Sequence, residues 1–567
     1  MHLTKPLSKF PQLQSTAKVE VFERFIVIVI GISAFIYITG GRILNTSNTR
    51  WLLTGDPAGH FMGWQFFRRT PILQWPLGRS DMYGTGFSSS IFFTDSIPIL
   101  AIPLKFLNFL LPDNFQYFGF WILLSFVFQS WFGWKLLNLY ISERIPRILG
   151  SIFFTLAPTF LQRLVFDGYG QSAMASQWLI LWAMYLCLKP TARIKQWLVI
   201  VTVSSLVQPY LLVMVIGFFG AWVVKRFLTR PGSRIDGVRE LAISVFLGAS
   251  VCFAAVWAAG GFMISDTRDG GSSVYRASLT SIFNPATPHS FSWSRFVPSL
   301  GLLPGSQEGF SFLGVGVILM LPLLGLSALK QRGVLLRPTF FPILIITVML
   351  FIFSLSSKIS LANHEILVLP KIVLLEGVRD ILRTSGRFIW PSVYLLTLFA
   401  LVSVSKSLHK FISIKIVVIF TLLCLQIFDT FTPLREVRER HTDDPYDKVL
   451  ESPVWHVLAQ NYKHLVVLPP LNNDPGWLDL ALLADKWKMS SNSVYFARVN
   501  QKKFTNSQVS IKNIVSNFAF REDALYVITN YPPNPLSPIL IARYGGKKLS
   551  DSGIKAFELD GFVVVAP

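Results

Sequence analysis

Hydrophobic residues in this chain come in long runs, without the apolar–polar alternation of a soluble helix or strand. A hydrocarbon core about 30 Å thick needs about 20 largely apolar residues per helix. Runs of that kind lie at 22–40, 116–140, 148–163, 171–188, 196–208, 209–225, 239–263, 312–329, 339–357, 388–405 and 412–430. They predict about eleven transmembrane helices. The first run follows a basic segment with Lys5, Lys9, Lys18 and Arg24, and no small-x-small cleavage pattern follows it. It therefore reads as a retained signal-anchor with its N-terminal side inside. The fifth and sixth runs meet at Gln208-Pro209-Tyr210, where proline ends a helix.

The basic residues test this topology. Arg144 and Arg147, then Lys189, Arg193 and Lys195, then Lys225, Arg226, Arg230, Arg234 and Arg239 fall on the side of the basic N-terminus. So do Lys330, Arg332 and Arg337, and finally Lys406, Lys410 and Lys415, as the positive-inside rule asks. The agreement requires that the apolar run 96–111, with Pro98, Pro103 and Lys105, does not cross. That run is predicted as an interfacial or re-entrant element, twelve spans being the alternative. An inside start leaves 431–567 outside. Short strand-like runs at 465–468, 493–499, 525–529 and 562–565, with an amphipathic stretch at 477–487, predict a C-terminal periplasmic α/β or α+β domain there. The division is thus 1–430, a transmembrane domain with external loops 41–115, 264–311 and 358–387, and 431–567, a soluble domain.

Composition narrows the class further. Of 567 residues, 52% are hydrophobic, 14% aromatic and 15% charged, with a mean hydropathy of +0.49. Soluble domains carry about a quarter charged residues, so a soluble multidomain enzyme is excluded, as is a disordered or coiled-coil chain. The net charge of +21 is what basic cytoplasmic loops produce, and nucleic acid is not an expected partner. Cys187, Cys252 and Cys424 lie in apolar runs without CxxC spacing or a His partner, and read as buried small hydrophobes. The chain has no GxxxxGK[ST], HExxH or GxSxG, which argues against an ATP-driven pump, a zinc protease and a serine hydrolase. Few charges fall inside the spans (Lys135 and Arg163 sit near ends), which weakens an ion-coupled transporter.

Chemistry then concentrates in the external segments. Asp56, between Gly55 and Pro57, sits in a loop of Trp and Phe with His60, Arg68 and Arg69, where a carboxylate can take a proton from a hydroxyl. Gly-Asp-Pro is equally ordinary turn chemistry. Asp95, before Ser96-Ile-Pro98, can cap a helix or serve as a metal or acceptor ligand. If 376–390 is helical, Arg379, Arg383 and Arg387 share one stripe suited to a phosphate or diphosphate, or to snorkelling toward lipid headgroups. The middle loop, with Asp266, Arg268, Asp269, Arg276, Phe291, Trp293 and Glu308, suits either a sugar-binding lid or a loop lying on the membrane.

These features together resemble the GT-C superfamily of membrane glycosyltransferases. Residues 50–215 more narrowly resemble an uncharacterised bacterial family of GT-C-like polytopic proteins. The resemblance rests on Gly55-Asp56-Pro57, Gly63-Trp64-Gln65-Phe66-Phe67-Arg68, Trp75-Pro76-Leu77-Gly78, Tyr83-Gly84, Thr94-Asp95-Ser96-Ile97-Pro98 and Gln208-Pro209-Tyr210-Leu211. Gly386-Arg387-Phe388 and Trp390-Pro391 also fit. Where that family often carries His, this chain has Gln171, Gln177 and Gln208, which removes His-based chemistry there. The resemblance implies a polyprenyl-phosphate-linked sugar donor and transfer on the outer face of a bacterial inner membrane. It implies Asp56 as general base, with Arg383 and Arg387, then Arg379, Arg68 and Arg79, holding the donor phosphate. Asp95, His60, Gln208 and Tyr210 support the acceptor, which would be a glycan, a lipid such as lipid A or a pilin-like protein. No cofactor is obligatory, phosphate being a good leaving group, and a divalent metal is compatible. A lipid-linked sugar flippase or polysaccharide transporter is the alternative, and a non-catalytic assembly protein a further one.

Overall fold

Prolines, glycines and short polar stretches cut the apolar sequence into helices of unequal length. A computed structural model describes residues 17–567 apart from 88, 166–169, 230–233, 265–272, 290, 331–336, 371–372, 442–445, 447–448, 474, 497, 518 and 530–554. Asp266, Arg268 and Asp269 lie outside the described residues. Among those described, 6 helical segments are long and apolar enough to cross a bilayer: Glu20–Thr39, Phe118–Leu137, Pro209–Thr229, Ile235–Ala258, Ser385–Ser407 and Ile412–Asp429. Trp178–Leu188, Ile194–Ser205, Val315–Lys330 and Phe341–Ser354 are shorter apolar helices. The chain is a mostly helical membrane protein.

The shorter pieces have local causes. The run expected over 148–163 breaks into Arg144–Thr155, Pro158–Leu161 and a 3-10 turn, Gln162–Leu164. Pro158 has no N–H to continue the first helix, and Ala157 before it is extended. The run 312–329 divides into Val315–Ile318 and Leu321–Lys330. The element at 96–111 is the helix Pro98–Phe106, 9 residues long, followed by a 3-10 turn, Asn108–Leu110. At 1.5 Å per residue it covers about 14 Å, too little to cross. Close approach of Ala17–Thr39 to Phe118–Leu137 depends on Gly31, where a Cβ would stand 2.7 Å from the Val127 Cα. Cys187 is buried as expected, but Cys252 is only half-buried and Cys424, on the helix Ile412–Asp429, is exposed.

The C-terminal part is a mixed α/β unit. Strands β1 (Lys358–Leu361) and β2 (His364–Val368) form a separate antiparallel hairpin between the membrane helices, in a segment read from sequence as an external loop. The main sheet contains β3 (His464–Leu468), β5 (Ser490–Ser491), β7 (Ala524–Ile528), β8 (Lys555–Leu559) and β9 (Phe562–Ala566), in the order β5-β3-β7-β9-β8. The first three strands run parallel, and β9 joins β7 and β8 antiparallel. The amphipathic stretch is the helix Trp477–Lys486. The expected strand 493–499 is only β6 (Ser493–Val494), paired with β4 (Leu471–Asn472). Beyond Val494 the chain leaves the ladder as coil and runs toward the membrane part, and that detour shapes the site.

Candidate functional site

Asp56 does not sit in a loop. Gly55 takes φ 58 and ψ −137, a conformation open to glycine, and with Pro57 in the first turn it starts the helix Asp56–Phe67 at Asp56 itself. Every later residue of that helix is buried. The carboxylate therefore lies at the positive end of a buried helix. Gln171 Nε2 donates to Asp56 Oδ2 at 2.5 Å, and the Tyr495 hydroxyl donates to Asp56 Oδ1.

A buried charge cluster stands behind Gln171. Arg387 Nη2 donates to Gln171 Oε1 at 3.1 Å, and Arg387 Nε donates to Glu308 Oε2 at 2.9 Å. Arg163 Nη1 reaches the same Glu308 oxygen at 2.9 Å, and its Nη2 reaches the Glu308 carbonyl at 3.1 Å. Burial pushes the Glu308 carboxyl up, but Arg387 and Arg163 outweigh it and hold the group at about 2. Two guanidiniums share one carboxylate, so the cluster keeps a net positive charge one amide away from Asp56. The Arg387 guanidinium lies 4.8 Å over the Tyr210 ring, and that of Arg163 5.1 Å over Trp390.

Asp95, His60, Gln208 and Tyr210 converge beside this chain. Asp95 follows the 3-10 turn Ile91–Thr94 in a left-handed conformation, φ 51, and accepts from Gln208 Nε2 at 3.4 Å. It is therefore not the helix cap that residue order offered; Ile97 precedes the helix at Pro98. Gln208 Oε1 accepts the Tyr210 N–H at 2.6 Å, and the Tyr210 hydroxyl accepts the Thr384 N–H at 3.1 Å. Burial raises Asp95, and Asp56 adds to this, while His60 and Arg387 oppose it. Burial lowers His60 against the pull of Asp95 and Asp56. Its Nδ1 is buried without a hydrogen-bond partner among the described residues.

The arginine stripe is not continuous. The helix Val373–Ile381 ends before Arg383, and a 3-10 turn, Ser385–Ile389, carries Arg387. Arg387 joins the network of Asp56 through Gln171. Arg383 is half-buried 5.8 Å over the Tyr275 ring, with its charge felt by Tyr495, and Arg379 is buried on the preceding helix. Arg68 is not turned to this site: its guanidinium donates to Asn108 Oδ1 and to the carbonyls of Leu111, Pro112 and Asp113, and so ties down the segment after Pro98–Phe106. Arg79 is exposed and paired with Asp81 at 2.7 Å. From the middle loop, Glu308 enters the site, and Trp293 and His289 hold Gln162 beside Arg163. The sequence names Glu308 only within the middle loop, Gln171 only as a position where the family often carries His, and Arg163 only as a cation near the end of an apolar run; Tyr495 lies in a strand-like run with nothing to mark it.

Asp56 accepts from an amide and a hydroxyl, Asp95 accepts from an amide, and no group of three His, Cys, Asp or Glu among the described residues is placed to hold an ion.

No curated protein matches the chain. Among solved structures, it is similar to the Archaeoglobus fulgidus oligosaccharyltransferase in the apo form, with 10% identity and a TM-score of 0.49 over 89% of this chain and 69% of that one. The archaeal oligosaccharyltransferase AglB from Archaeoglobus fulgidus, in complex with an inhibitory peptide and a dolichol-phosphate, gives 11% identity and 0.43 over 96% and 74%. ArnT from Cupriavidus metallidurans, bound to undecaprenyl phosphate, gives 11% identity and 0.46 over 97% and 98%. A C-terminal domain described with the family matches residues 454–567. Residues 28–431 match the domain of unknown function DUF6311, and the chain belongs to that family.

Proposed function

We propose that this protein is an integral-membrane glycosyltransferase that moves a sugar from a polyprenyl-phosphate-linked donor to a hydroxyl of a glycan, lipid or pilin-like protein. One observation carries the reading: a carboxylate at a helix N-terminus is joined through a single amide to a buried guanidinium pair with net positive charge. The acceptor oxygen attacks the anomeric carbon opposite the phosphate while Asp56 takes its proton. The bond from carbon to the phosphate oxygen breaks, its electron pair stays on the phosphate, and configuration inverts. Arg387, with Arg383 at its edge, stabilises the departing charge, because fixed cations in a dry site need no reorganisation as it develops. Asp95, His60, Gln208 and Tyr210 form the acceptor side. The reaction lies on the periplasmic face of a bacterial inner membrane, with eleven spans and residues 431–567 outside.

The test is release of polyprenyl phosphate from a labelled lipid-linked sugar by the purified protein. Asp56→Asn is expected to lower turnover by about 10²–10⁴-fold, the usual contribution of a general base, while donor binding persists. Near-parental turnover would remove Asp56 from the role. Passage of intact donor across the bilayer without cleavage would favour a flippase instead. Chelation is expected to leave turnover unchanged; its loss would bring a divalent metal into the reaction.

A further inference from the structure

Tyr495 reaches Asp56 from the other end of the chain, and its seat is built for it. Its ring lies against Gly59, one turn after Asp56, where a Cβ would stand 2.7 Å from Tyr495 Cδ1 and 3.1 Å from Cγ. The Tyr495 N–H donates at 2.9 Å to the hydroxyl of Tyr83, a fully buried residue stacked on Phe66 at 4.9 Å. The next N–H, of Phe496, donates to Asn472 Oδ1 at 2.8 Å, and Trp477 meets the Tyr495 ring edge-on at 5.7 Å. The ring itself is only half-buried and belongs to coil after β6, so no strand ladder holds it down.

An acceptor presents one thing to a base, an O–H, and the Tyr495 phenol presents the same group to the same oxygen. We infer that Tyr495 caps Asp56 in the resting protein, holding the place of the acceptor hydroxyl so that water is not activated there, and that acceptor binding displaces it. The inference rests on the transferase reading above. Uncapped, Asp56 would take a proton from water as the water oxygen bonds to the anomeric carbon. The bond to the phosphate oxygen would break with its electron pair on the phosphate, giving free sugar and polyprenyl phosphate. The cap survives its own base because burial and Asp56 push the phenol well above its ordinary range.

Two readouts on the full-length protein test this. Dicyclohexylcarbodiimide labelling of Asp56, read by mass spectrometry, needs no substrate. Tyr495→Phe, which keeps the ring, and Gly59→Ala, which displaces it, are each expected to speed labelling several-fold, with Asp56→Asn as the blank. In the absence of acceptor, hydrolysis of labelled undecaprenyl-phosphate-linked hexoses and pentoses is expected to rise at least tenfold in Tyr495→Phe. Parental labelling, or faster labelling with parental hydrolysis, overturns the cap. A parallel fall in hydrolysis and transfer also overturns it and makes Tyr495 a positioning residue. Cleavage by the parent with Tyr495→Phe unaltered sinks the cap alone; absence of Asp56-dependent cleavage in every variant removes the transferase reading and the cap with it.

Discussion

At the scale of single residues, Glu308 organises the site, because one carboxylate holds both Arg163 and Arg387. Its carboxyl is held at about 2 against an ordinary 4.5. As pH falls, the unfolded chain takes up this proton first. The stabilisation is thus present above about pH 4.5 and is lost as pH falls toward 2. Thermal melting in detergent should show this acid-side loss, and Glu308→Gln should flatten it at a lower overall melting temperature. Arg387→Ala is expected to weaken binding of labelled polyprenyl phosphate by about 1.5–3 kcal/mol, the worth of a hydrogen bond to a charged group. Arg79→Ala, already paired with Asp81 in water, should leave binding unchanged. Equal losses in the two variants would return the phosphate site to open choice.

At the scale of elements, glycine decides how closely the helix Asp56–Phe67 packs. A Cβ at Gly63 would lie 2.4 Å from Thr94 Cβ, the residue before Asp95. Gly63→Ala should therefore push Ile91–Thr94 away from Asp56–Phe67 and cost about 1–3 kcal/mol, read as a lower melting temperature and reduced turnover. Gly325→Ala, with nothing within 4 Å, is the control and should not destabilise. The failure of the arginine stripe has the same kind of cause. Gly386 donates its N–H to the Tyr275 carbonyl at 2.9 Å, and a Cβ on it would stand 2.8 Å from the Gly309 backbone. That close approach outweighs the i, i+4 spacing that predicted a continuous helix, and Arg387 meets Glu308.

At the scale of the whole molecule, the C-terminal unit is docked by charge as well as by rings. Arg69, just past the end of the helix Asp56–Phe67, pairs with Asp485 at 2.7 Å, both side chains being largely buried. Arg69→Met would leave the Asp485 charge buried and unpaired. Breaking such a pair costs about 3–5 kcal/mol, and the expected result is faster proteolytic release of the C-terminal unit. If the cap on Asp56 depends on that docking, the same variant should also label faster at Asp56.

Much of the architecture is local and therefore legible in the chain. Apolar run length marks the long helices, Pro98 and Pro103 mark the element too short to cross, and the short strand-like apolar runs at 465–468 and 562–565 mark strands β3 and β9. Asp56, Asp95, His60, Gln208, Tyr210 and Arg387 were also readable as residue types in motifs. Their partners were not. Arg163 meets Glu308 145 positions away, and Asp56 meets Tyr495 439 positions away. Periodicity describes neighbours within a turn or two of chain, whereas which buried charge meets which is settled only when helices pack, because the cost of an unpaired charge is set by everything that surrounds it.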